Sequence, residues 1–143
     1  MNQYSVLRAR QQKEIDAFPF MFAFNQKQFD EGMIRLGLQP TDTDKIYSIG
    51  AGGYIRKTDS AALHEMLDRH SAEMQAAIDA DETGEGFVRD MFLYELDNHE
   101  FSYTRDLEPT LDALGLTMEQ VAGDRKLSNG LYLARRVIRR RND

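Results

Sequence analysis

The sequence predicts an α+β fold, a predominantly helical single domain over 1–143. It expects five to six helices and a small antiparallel sheet of two to three strands from the N-terminal half. Three observations carry this. Apolar residues recur at helical spacing over about 60–80 and 86–99. Aromatics occupy every second position from Phe18 to Phe24. Two strand-like runs flank Gly50-Ala51-Gly52-Gly53.

Residues 3–17 read as a helix, with Tyr4, Leu7, Gln11, Ile15 and Phe18 at three- and four-residue steps. Pro19 ends it. Phe18-Pro19-Phe20-Met21-Phe22-Ala23-Phe24 has a period of two and is apolar on both faces, so it reads as a short, well-buried strand with its phenylalanines in the core. Asn25 is placed to cap a helix from Gln26 to about Leu36, which Gly37 ends. Lys45 to Ile49 and Tyr54 to Lys57 form a hairpin around the glycines.

The helix at about 60–80 turns Leu63, Met66/Leu67, His70, Met74 and Ala77/Ile78 inward. Thr83-Gly84-Glu85-Gly86 breaks the chain before a second strong helix, which buries Phe87, Val88, Met91, Phe92 and Leu96. Leu107, Leu111 and Leu114 mark a short helix. Gly115-Leu116 reads as its Schellman ending, and Thr117 with Gln120 forms a capping box. The last helix sets Leu127, Leu131, Ala134 and Ile138 on one face and its arginines elsewhere.

The chain holds 143 residues with no cysteine, which excludes disulfides, thiolate metal sites and cysteine nucleophiles. No signal peptide is read at the N-terminus, and the longest apolar run is far too short to span a bilayer. The expected location is cytoplasmic, with no membrane partner. The formal net charge of −6 is unevenly spread: residues 58–110 hold 3 basic and 14 acidic side chains, whereas 111–143 hold 7 and 4. An acidic middle repels nucleic acid, and a basic tail attracts it. With their apolar faces given to the core, the acids of the two strongest helices are expected to point outward.

Five groups of residues bear on function. Gly50, Gly52 and Gly53, with Arg56 and Lys57, could cradle an anion on backbone N–H groups. The loop lacks the Lys-Ser/Thr of a phosphate-binding loop, and a turn needing positive φ uses glycine equally. His64 and His70 are six apart, the wrong spacing for a helical zinc pair, so no metal or cofactor site is expected. His70 and His99 read as core histidines with one hydrogen bond each. His99, beside Glu95 and Glu100, is the one candidate general base. Glu95, Asp97, Glu100 and Asp106 form an acidic set: a binding face if they line up on one surface, a solvated face otherwise. Arg135, Arg136, Arg139 and Arg140 on the last helix could grip a phosphate backbone, or pair internally with the acids. The outline from Leu107 to Arg141 is loosely that of a helix-turn-helix. Finally, the hairpin tyrosines Tyr47 and Tyr54 are candidate contact residues of an interface.

Phe18 to Phe24, Gln28-Phe29-Asp30-Glu31-Gly32-Met33, Lys45 to Gly53, Met91 to Glu100 and Leu111 to Gly115 together resemble a family of short uncharacterised proteins of phages and conjugative elements of gut bacteria. The resemblance covers most of the chain and brings no catalytic residues. It implies an accessory protein of a mobile element. The leading expectation is a non-catalytic binding or regulatory protein acting by protein–protein contact with an unidentified partner. One form of it is an acidic-surface inhibitor of a host nuclease or defence enzyme. The alternatives are a nucleic-acid binder using the C-terminal helix and a small hydrolase centred on His99.

Overall fold

The computed structural model describes residues 1–142. In chain order the elements are α1 (Gln3–Ala17), β1 (Met21–Phe22), α2 (Gln26–Arg35), β2 (Ile46–Gly50), β3 (Gly53–Arg56), α3 (Ser60–Ala80), α4 (Phe87–Asn98), α5 (Phe101–Thr104), α6 (Glu108–Leu114), α7 (Met118–Ala122) and α8 (Arg125–Arg141). This is the expected α+β class, helix-dominated with one small antiparallel sheet. The five to six expected helices become eight among the described residues, because short pieces such as α5 carry too few residues to show a period.

Local signals act where they were read. The Asn25 side chain accepts from the Gln28 N–H and starts α2. Thr117 and Gln120 satisfy each other's backbone N–H groups reciprocally at the start of α7. Leu116 N–H reaches back to the Leu111 carbonyl at 2.9 Å, the long bond of a Schellman ending, with Gly115 at φ +66°.

Contacts divide the chain into two compact units, one of residues 1–12 with 72 onward, the other of 13–71. The first is built on α4 and α8. Val88, Phe92 and Leu96 of α4 and Ala134 and Ile138 of α8 are essentially sealed from solvent. Gly130 permits the contact: a Cβ there would sit 2.5 Å from Val88 Cγ1. The turn before α4 is organised by Asp81, whose carboxylate accepts from the N–H groups of Gly84, Gly86 and Val88.

Two acids of α4 do not point outward as expected. Asp90 and Glu95 are buried. Asp90 Oδ2 accepts the Gln3 N–H at 2.8 Å, satisfying a free donor in the first turn of α1. Glu95 accepts from Arg8 Nη1 at 2.7 Å. Both pairs step five residues along each helix, so α1 runs parallel to α4 there, and the acids serve the helix that covers them.

In the second unit the strand order is β1-β3-β2, antiparallel throughout. Met21, Tyr54 and Ile46 pack with Met33, Leu36 and Phe29 under α2. Ile55 packs with Leu63, Met66, Ile15, Phe18 and Phe20. The expected buried strand at 18–24 needs correction. Only Met21–Phe22 pairs as a strand, and burial alternates: Met21 and Ala23 are buried, while Phe22 is 52% and Phe24 77% exposed. The period of two is real. The outer face stays open because α2 covers only the side that carries Met21.

Candidate protein-contact surface

The glycine run closes the hairpin. Gly50 pairs with Gly53, and the two residues between them, Ala51 at φ +52° and Gly52 at φ +78°, have the positive φ values of a type I′ turn. The register slips between Ser48 and Gly50, so Ile49 is an extra, bulged residue. Its side chain lies against Gly53, where an added Cβ would meet Ile49 Cγ1 at 2.9 Å and Phe22 Cε1 at 3.1 Å. A Cβ on Gly52 would lie 2.5 Å from Phe24 Cε1. Two glycines thus form a floor on which Phe22, Phe24 and Ile49 rest.

All three remain substantially exposed, as does Tyr47 on the same strand as Ile49. Rings step from Phe18 through Phe20 to Phe22 at 4.9 and 6.0 Å between centroids, so the platform continues an apolar row that starts in the core. A groove of about 400 Å³ opens beside it, between Phe22, Phe24 and the polar side chains Gln28, Glu31 and Arg35 of α2. Monomer surfaces usually scatter apolar residues singly, so this cluster beside a groove is a candidate contact surface.

The glycine loop does not gather cations. Arg56 is turned onto Asp59 (2.7 Å) and the Leu36 carbonyl (3.1 Å), and Lys57 stands 5.1 Å from the centre of the Tyr47 ring. Tyr54 packs edge-on against Phe29 rather than facing outward.

The four acids are placed in four different ways. Glu95 is inside. Asp97 is held by Arg141, both carboxylate oxygens 3.0 Å from Nη1. Glu100 is exposed, in a left-handed backbone conformation at φ +57°. Asp106 accepts the Glu108 N–H at the start of α6. They do not make one exposed row. Of the basic set, Arg135 lies over the Phe101 ring and Arg136 over Tyr132, while Arg139 and Arg140 are exposed.

The histidines divide likewise. His64 is exposed, its Nδ1 2.8 Å from the Ser60 carbonyl. His70 is buried, with Nε2 3.4 Å from a Glu14 carboxylate oxygen. Glu14 is held down to about 2 by its hydrogen bond to Arg69, aided by His70. His99 departs from the expected satisfied core state: its Nε2 is buried without a hydrogen bond among the described residues, 3.7 Å from Glu95 Oε2. The structure therefore does bring His99 to Glu95, and puts Arg8 on the same carboxylate. Tyr4 borders this cluster, and burial with the nearby Glu95 charge pushes its phenol up to about 12.

Of the platform residues, sequence reasoning put Phe22 and Phe24 in the core and did not single out Ile49. The available signal was Asn25: a helix cap directly after Phe24 leaves the aromatic run too short to be roofed on both faces.

Fold and surface together describe a small helical α+β protein that presents an apolar platform on a glycine-floored hairpin. Residues 3–137 match a family of unknown function (DUF7659), and the chain belongs to that family. No match was found among curated proteins or among solved structures. None of the described helices is long and apolar enough to cross a membrane.

Proposed function

We propose that this is a non-catalytic, cytoplasmic binding protein that acts by protein–protein contact through the platform of Phe22, Phe24 and Ile49. The mobile-element setting comes from the sequence resemblance. The observation that carries the reading is the exposure of these three side chains in one cluster, seated on Gly52 and Gly53. β2 is an edge strand with no charged residue between Ile46 and Gly50. The fitting occupant is an extended segment of a partner, added as a strand along β2 with its apolar side chains laid against Tyr47 and Ile49 at that side of the platform.

The test is site-specific photo-crosslinking in the native host, with p-benzoylphenylalanine replacing Phe24 and, as control, exposed Glu65 on α3. A discrete adduct from position 24, absent from position 65 and lost on adding Ile49→Ser, supports the reading. Equal labelling from both positions, or an adduct indifferent to Ile49→Ser, overturns it.

A second reading, nucleic-acid binding by α8, draws on the exposure of Arg139 and Arg140. It requires salt-dependent binding of duplex DNA or RNA that Arg139→Gln/Arg140→Gln abolishes. A hydrolase centred on His99 has less support, because the carboxylate beside it is already committed to Arg8 in the contact of α1 with α4.

A further inference from the structure

A second surface lies in the other unit, where α6 turns into α7. A groove of about 390 Å³ has a floor of Leu107, Leu111, Leu116 and Met118. Leu111 is core, Leu107 and Leu116 pack against the core from its edge, and Met118 is 50% exposed. The rim is Asp106, Glu108 and Asp112, all exposed, and none of the side chains lining the groove is basic.

We infer that this groove binds a basic amphipathic helix of a partner protein. The floor offers a strip of aliphatic and thioether groups, which suits apolar anchors repeated at i, i+3, i+4 and i+7. The rim puts carboxylates where the polar face of such a helix would carry its Lys or Arg side chains. Glu108 and Asp112 are four apart on α6, so they stand on the same side of the helix, one turn from each other. Asp106 accepts the Glu108 N–H on Oδ1 and is exposed to solvent. A second copy of this chain cannot offer its own basic helix, α8, whose Leu127, Leu131, Ala134 and Ile138 are buried in the core. No anchor face remains for export.

The probe is a fluorescein-labelled amphipathic peptide of leucine and lysine, with leucine at i, i+3, i+4 and i+7, titrated with the full chain and followed by anisotropy. Saturable one-to-one binding is expected. Asp112→Lys should weaken it about tenfold and flatten its salt dependence, and Met118→Asp should weaken it by about as much. Both positions face solvent, so thermal melts should stay near wild type. Phe24→Ser should leave the affinity unchanged, which separates this site from the hairpin platform. A scrambled peptide of the same composition binding equally well, or both variants binding like wild type, reduces the interaction to general attraction by an acidic protein and overturns the proposal. So does failure of the leucine–lysine peptide to bind, or concentration-dependent dimerisation that blocks the groove.

Discussion

The Phe24 ring lies so close over Gly52 that a side chain at position 52 would displace it. A Cβ there would be 2.5 Å from Phe24 Cε1, on a residue already at φ +78°. The glycine run therefore serves two ends. It turns the hairpin, and it seats the most exposed phenylalanine among the described residues.

Gly52→Ala should show both. The left-handed backbone costs an alanine about 1–2 kcal/mol, and the ring must also move. Urea denaturation should read the loss of stability. Crosslinking from position 24 should fall more than it does for Gly37→Ala, a positive-φ glycine with open space around it. Equal effects on crosslinking would mean that Gly52 only turns the chain.

Ala51→Asn should act in the opposite direction. Ala51 is held at φ +52°, and asparagine before glycine is the preferred pair for this turn. A gain of about 1 kcal/mol is expected from the relieved backbone, seen as a higher urea midpoint at unchanged slope.

Arg8→Met should destabilise out of proportion to its own exposure. Glu95 would be left as a buried carboxylate without its guanidinium partner, beside His99 and Tyr4. Removing one partner of a fully buried pair costs about 3–5 kcal/mol; Arg8 is 42% exposed, so about 2 kcal/mol is expected here. Arg8→Met/Glu95→Leu should recover part of that loss. If the double variant is worse than the sum of the single ones, the pair acts through something other than charge compensation.

Alkaline titration should single out Tyr4. Its phenol is pushed from 10 up to about 12, chiefly by burial and then by the Glu95 charge. The fold thus favours the neutral phenol. That contribution is complete below pH 10 and is lost as pH rises toward 12. A late step should appear when phenolate absorbance is followed, and Tyr4→Phe should remove it and flatten the alkaline limb of stability.

Much of the fold was legible because its signals are local. The Asn25 cap, the Thr117–Gln120 box, the Gly115–Leu116 ending and the apolar stripes of α3 and α4 each depend on residues within a turn or two of one another. Their physics is complete in a short window of sequence. The two buried acids are the opposite case. Asp90 and Glu95 sit among fourteen acids in residues 58–110. Glu95 does fall on the apolar stripe of α4, three and four residues after Phe92 and Met91, but the closest partners of both carboxylates lie outside the helix. They turn inward because the Gln3 N–H and the Arg8 guanidinium, 87 residues away, arrive beside them. Burying a carboxylate is tolerable only with such partners in place, and a sequence window cannot contain them.

The same holds for the platform, with the sign reversed. Alternation of Met21, Phe22, Ala23 and Phe24 set the two faces of the run. Which face met a helix and which met water depended on where α2 came to rest, a matter of packing between separated elements. So the chain alone marked where its helices begin and end and that a glycine hairpin joins two strands. Tertiary packing alone placed two carboxylates in the interior and two phenylalanines on the surface. Burial is a property of neighbours, and those neighbours are distant in sequence.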